Sequence, residues 1–181
     1  MSNITSLKYT SLENQSLTVT KEDGSSYSAP WPCYTWHREE IEVAIEAGIE
    51  IQPFEIAEEV LVDNQEKVWS AIKALREDRT LNGGVKVADK WFYTDLKSTA
   101  QYNTLTNVGV CNPTLSIPGW KTMDGSFVEM TLALVNQIQL AGITSQAQTY
   151  AVAEAHKAAM LASTDPSSYD YSTGWPLIFG E

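Results

Sequence analysis

The sequence predicts an α+β protein in three parts: a small β-rich N-terminal module over residues 1–54, a helical linker over 55–65, and a C-terminal α+β domain over 66–181. Three observations predict it. Apolar and polar residues alternate between Ile4 and Pro30 around an Asp23-Gly24 turn, the period of half-buried strands. Leu61, Val68, Ile72 and Leu75 fall on one helical seam, with Gln65 in the intervening position. "GWKTMDGSFVEMT", residues 119–131, reads as strand, Asp-Gly turn, strand and helix cap, and a long Ala-rich pattern follows it.

The elements follow in order. "ITSLKYT" and "QSLTVTKEDGSSYSAP" predict two or three antiparallel strands, ended by Pro30 and Pro32. "TWHREEIEVAIEAG" predicts a helix capped by Thr35 and stopped at Gly48, and "IEIQPF" returns as an extended segment. From Ile56 to about Arg79 the pattern is that of an amphipathic helix, too short in heptads for a coiled coil. Gly83-Gly84 stops it, and "VKVADKWFYTD" predicts a short hairpin. "LKSTAQYNTLTN" predicts a short helix capped by Asp95, and "VGVCNPTLSIPG" a loop. The last helix runs from Leu132 toward Ser163, with a break or bend expected near Gly142. Its stripes are Leu134, Ile138 and Ala141, then Val152, Ala155 and Ala159. The closing segment carries Tyr169, Tyr171, Trp175 and Phe179, a composition that should pack rather than trail in solvent.

The formal net charge is −11, and no Lys or Arg interrupts the stretch from Glu39 to Glu66. Phosphate binding needs clustered basic residues, so a nucleic-acid partner and an anionic membrane surface are both disfavoured. The acidic stretch reads as a solvated face, with a docking surface for a basic partner as the alternative. No apolar run reaches the roughly 20 residues of a membrane span, and the N-terminus lacks the features of a signal peptide, so a soluble, cytoplasmic protein is expected. Cys33 and Cys111 have no accompanying Cys-His cluster; two lone buried thiols are expected, with one disulfide as the alternative.

Material for catalysis is sparse. His37 and His156 are the only histidines, and both read as surface or interface residues. "LNGGVKV" lacks the phosphate-loop pattern, and "TDPSSYD" lacks the oxygen-ligand spacing of a calcium loop. No catalytic, cofactor or metal site is therefore expected.

The segment "VWSAIKALREDRTLNGGVKVADKWFYTDLKSTAQY" resembles the start of an uncharacterised C-terminal domain of tailed-bacteriophage proteins, domain of unknown function 4376. The features that carry the resemblance are Trp69, Ile72, Arg76, Arg79, Gly83-Gly84-Val85, Trp91-Phe92, Asp95 and Ser98. "WKTMDGSFVEMT", "AEAHKAAM" and "DPSSYDYSTGWP" continue it across residues 66–179, while the span just after Ser98 departs from the pattern. The resemblance implies a non-enzymatic, tail-associated protein: a tail fibre assembly chaperone, or alternatively a permanent part of the virion at the tail, baseplate or fibre. Its implied partner is a phage tail fibre or other tail protein, with a homo-oligomer also open. The implied location is the host cytoplasm during assembly, or the virion tail. Trp69, Arg76, Arg79, Trp91, Trp120, Phe127 and Trp175 are the expected structural or interface anchors. Trp120 and Phe127 should tie the long helix to its sheet, and Arg76 and Arg79 should pair carboxylates.

Overall fold

The computed structural model describes residues 3–11, 13–32 and 37–181. The chain divides into two compact units, Met1–Glu58 and Glu59–Glu181.

In the first unit, β1 (Ile4–Tyr9), β2 (Ser16–Lys21) and β3 (Ser26–Pro30) form an antiparallel meander. After α1 (His37–Glu46), β4 (Ile51–Gln52) pairs parallel to β1, giving the order β3-β2-β1-β4. Ile4 and Leu7 lie three apart, a spacing that sends side chains to opposite faces of a regular strand. A register shift between Ile4 and Ser6 allows both to be buried. They join Leu17, Val19 and Ala29 in a cluster closed by Ile41 and Ala44 of α1. The expected cap Thr35, and Cys33, lie outside the described residues.

Helix α2 (Glu58–Asn82) leads into a hairpin of β5 (Val85–Val87) and β6 (Lys90–Phe92). Its two-residue turn holds Ala88 at φ 48° and Asp89 at φ 63°, the left-handed conformations of a type I′ turn without a glycine. Helix α3 (Leu96–Cys111) starts where Asp95 accepts a hydrogen bond from the Ser98 amide at 3.0 Å. It extends through "VGVC", which the sequence places in a loop. Tertiary packing overrides local pattern there, because a Cβ at Gly109 would lie 2.6 Å from Leu132 Cδ1. Cys111, at the exposed end of α3, is a free thiol and not a buried one.

"SIPGWK" also leaves the expected loop and forms β7 (Ser116–Lys121), paired with β8 (Phe127–Thr131). Pro118 is accommodated where the register shifts between Ile117 and Trp120. In the Asp-Gly turn that joins these strands only Gly125 takes a positive φ, 81°. The Thr122 amide donates to the Ser126 carbonyl at 2.9 Å, so the turn spans three residues. Thr131 then caps α4 (Leu132–Leu161), whose Leu134 amide donates to the Thr131 hydroxyl at 3.2 Å.

Helix α4 is continuous through Gly142, so there is no break at this position. Intrahelical hydrogen bonding tolerates a single glycine at about 1 kcal/mol relative to alanine. The expected stripe of Leu134, Ile138 and Ala141 packs on the β5–β6 and β7–β8 hairpins with Val85, Phe92 and Tyr102. The second expected stripe is rotated. Ala155 and Ala159 are exposed, whereas Thr149, Ala153 and Met160 are buried, because the face that α4 closes is chosen by α2 and the C-terminal segment. On α2, Val68, Ile72 and Leu75 of the predicted seam meet Ala153 and Trp175 in a separate cluster.

Candidate functional site

Two features of the second unit gather polar and aromatic side chains: a clasp that holds the C-terminal segment, and a cleft beside it. The clasp is built on α2 and α4. Trp175 is 8% exposed, and its indole N–H donates to the Tyr171 carbonyl at 2.7 Å. His156 of α4 stacks on it with ring centroids 5.3 Å apart, and the Arg79 guanidinium of α2 lies 5.9 Å from its ring centroid. His156 Nε2 lies 2.9 Å from the Thr173 carbonyl, which can only accept, so Nε2 carries the proton. Nδ1, 2.9 Å from the Tyr169 hydroxyl, then accepts from it in the neutral ring. Arg79 donates to the Glu181 carboxylate at 2.7 and 2.9 Å and to the Pro176 carbonyl at 3.2 Å. The hydrogen bonds from Arg79 hold the Glu181 carboxyl below its ordinary range.

The same helices carry a cation–aromatic seam. Lys157 and Lys73 sit 4.7 and 5.7 Å from the Trp69 ring, and Arg76 sits 4.3 Å from the Tyr150 ring. Arg76 also pairs with Glu77 at 2.7 Å.

Gly83 and Gly84 do more than end α2. A Cβ on Gly83 would lie 2.5 Å from Ile178 Cγ2, and the Phe179 amide donates to the Gly83 carbonyl at 2.8 Å. A Cβ on Gly84 would lie 2.3 Å from Met123 Sδ, in the Asp-Gly turn. That turn is further fixed to the β5–β6 hairpin by the Met123 amide on the Trp91 carbonyl, 2.9 Å, and by Lys90 on Asp124, 2.9 Å. The Thr122 hydroxyl foremost, then Ser126 and Lys90, hold the Asp124 carboxyl far below the usual range.

Among the expected anchors, Trp69, Arg76, Arg79 and Trp175 thus come together along α2. Trp91 meets Phe179 edge-on at 6.1 Å, and Trp120 packs on Tyr102 at 5.7 Å. Burial, and then the nearby Asp95 charge, push the Tyr102 phenol up to about 12. Phe127 departs from expectation. It is 66% exposed and does not tie α4 to its sheet, because strand alternation turns Val128 and Met130 toward the core instead.

The cleft encloses about 400 Å³ between the end of α2, β5, the start of α3 and the middle of α4. Leu81, Leu96, Ile138 and Ile143 give it apolar walls; Tyr93, Asn103, Gln139, Ser145 and Gln146 supply polar groups. Gln139 is oriented by the Thr106 hydroxyl at 2.9 Å and itself donates to Asn103 Oδ1 at 2.8 Å. Gly142 lines the same cleft. Sequence reasoning reads Gly142 as a break or bend and His156 as a surface or interface residue, since neither role is visible without the facing elements.

The second unit is an α+β domain organised on helices α2 and α4, without a group of three or more His, Cys, Asp or Glu suited to a metal ion among the described residues. Residues 63–173 match the family described as Domain of unknown function (DUF4376), and the chain belongs to that family. No curated protein and no solved structure matches the chain. No helix among the described residues is long and apolar enough to cross a membrane.

Proposed function

We propose that the chain is a non-enzymatic, phage-tail-associated protein that binds a tail fibre protein during assembly and promotes its correct trimerisation. The observation that carries the binding part is on α4. From Leu132 to Ala153 the helix has no charged residue, and Leu140 and Ile143 are each 67% exposed, in a chain of net charge −11. An uncharged helical face with exposed aliphatic groups is what a protein partner covers. The phage setting is supported by the family resemblance.

The test is co-expression with the tail fibre protein of the phage that encodes the chain, reading detergent-resistant fibre trimers. Trimer yield should rise several-fold with the intact protein and fall back with a Leu140→Glu, Ile143→Glu double variant. Unchanged yield in all cases would count against an assembly role. Stoichiometric presence in purified virions, measured by mass spectrometry, would instead support a permanent structural component.

A further inference from the structure

We infer that the cleft between α3 and α4 is a binding site for an uncharged, extended peptide segment bearing an aliphatic side chain. This goes beyond the assembly role and holds whether or not the chain serves a phage tail.

The first observation is Gly142. Glycine is the least favourable residue after proline in a helix interior, and α4 continues through this position without a break. Its φ is not positive, and a Cβ there would meet no atom within 4 Å. Neither backbone conformation nor internal packing asks for a glycine. What the missing side chain leaves open is the cleft itself, whose wall includes Gly142. Glycine on a wall with free space before it permits close approach of another main chain.

The second observation is the chemistry of the lining. Among the described residues Arg79 is its only charged side chain; its two terminal nitrogens are engaged with Glu181 and the Pro176 carbonyl, so its charge is balanced, while its buried Nε has no partner and offers a single donor. A phosphate or carboxylate ligand finds no free cation, and a metal ion or amine finds no carboxylate. The polar groups are amides and hydroxyls. Gln139 is held by Thr106 and Asn103, while Asn103 Nδ2, Ser145 Oγ, Gln146 and the Tyr93 hydroxyl make no side-chain hydrogen bond among the described residues. Side-chain amides offer a donor and an acceptor together, the pair that a peptide unit presents in return. The aliphatic walls suit an apolar side chain beside it, and about 400 Å³ falls within the roughly 300–1,000 Å³ of small-ligand sites.

The experiment uses the full chain, labelled with ¹⁵N, and two pools of end-capped tetrapeptides. One pool is built from Ala, Val, Leu, Ser, Thr and Asn; in the other every peptide carries at least one Lys or Asp. The uncharged pool should shift the Gly142 amide and the side-chain amide signals of Asn103, Gln139 and Gln146. The charged pool should act about tenfold more weakly. Gly142→Leu fills the cleft and should abolish the shifts. Gly142→Ala should weaken binding by about two- to threefold while leaving the melting temperature equal or higher. That second variant keeps the test decisive should Gly142→Leu fail to fold. Absence of shifts in the native protein, equal response to both pools, or unchanged binding by Gly142→Ala would each overturn the inference. So would a response to methyl glucoside in place of the peptides, since that would make the cleft a saccharide site.

Discussion

The cluster of the N-terminal unit takes Ile4, Leu7, Leu17, Val19 and Ala29 from consecutive strands and closes with Ile41 and Ala44 of the next helix. The cluster around Trp175 takes Ile72 from the start of the other unit, Ala153 from its last helix and Trp175 from its closing segment. Strands that follow one another pair with one another in the first case. In the second, contacts form only after most of the unit has been laid down, which makes their closure entropically more demanding. The difference teaches where each unit is vulnerable: the first to the loss of any core side chain, the second to the loss of its final residues.

The largest expected effects test that division directly. Trp175→Ala should remove about 3–5 kcal/mol from the second unit, since it empties a site closed by His156, Arg79 and α2. Leu7→Ala should remove about 2–5 kcal/mol from the first unit. Chemical denaturation followed by assigned amide signals in each unit gives both numbers. If Trp175→Ala left the second unit's transition unmoved, the clasp would not be part of its core.

Acid should separate the units next. Asp23, Asp124, Asp165 and Asp170 each stand two residues before a serine whose amide donates to the carboxylate, at 2.8, 3.0, 3.1 and 2.8 Å. Hydrogen bonds hold all four carboxyls below their ordinary value of 3.8. A depressed folded-state pKa gives stability that is present above 3.8 and lost as pH falls through the folded value. Three of these turns lie in the second unit, which should therefore lose stability faster below pH 3.8. Asp124→Asn should flatten its acid limb more than Asp23→Asn flattens that of the first unit, since Thr122 and Lys90 also bind Asp124. Equal slopes in an acid titration would erase the distinction.

Smaller effects sharpen the picture. Gly142→Ala should stabilise the second unit by about 1 kcal/mol, because the added methyl meets nothing and helix propensity improves. Phe127→Ser should change stability by no more than about 0.5 kcal/mol, the usual range for an exposed position. A large loss in thermal melts would return Phe127 to the list of anchors.

Much of the fold was legible in the residues themselves. Alternation marked β1 to β3, the seam of Val68, Ile72 and Leu75 marked the buried face of α2, and Asp95 and Thr131 marked the starts of α3 and α4. The Asp-x-Ser turns were equally local, since carboxylate and amide lie two residues apart. The cleft and the clasp were not legible. Their side chains come from three or four elements, and no spacing within one segment records that Gly142 and Asn103 line one cleft, or that His156 will stack on Trp175.

By itself the sequence determined the features that short-range physics decides: period, caps, turns, the uncharged run of α4 and the excess of negative charge. Tertiary structure alone decided the rest. It carried α3 through "VGVC" by seating Gly109 against Leu132, placed Pro118 at an irregularity between β7 and β8, and rotated the buried stripe of α4 toward Ala153 and Met160. It also gave Gly83 and Gly84 their second use, as the surfaces on which Ile178 and Met123 rest. Such choices depend on which distant side chain arrives at a position, and burial of that side chain outweighs the modest local preference it overrides.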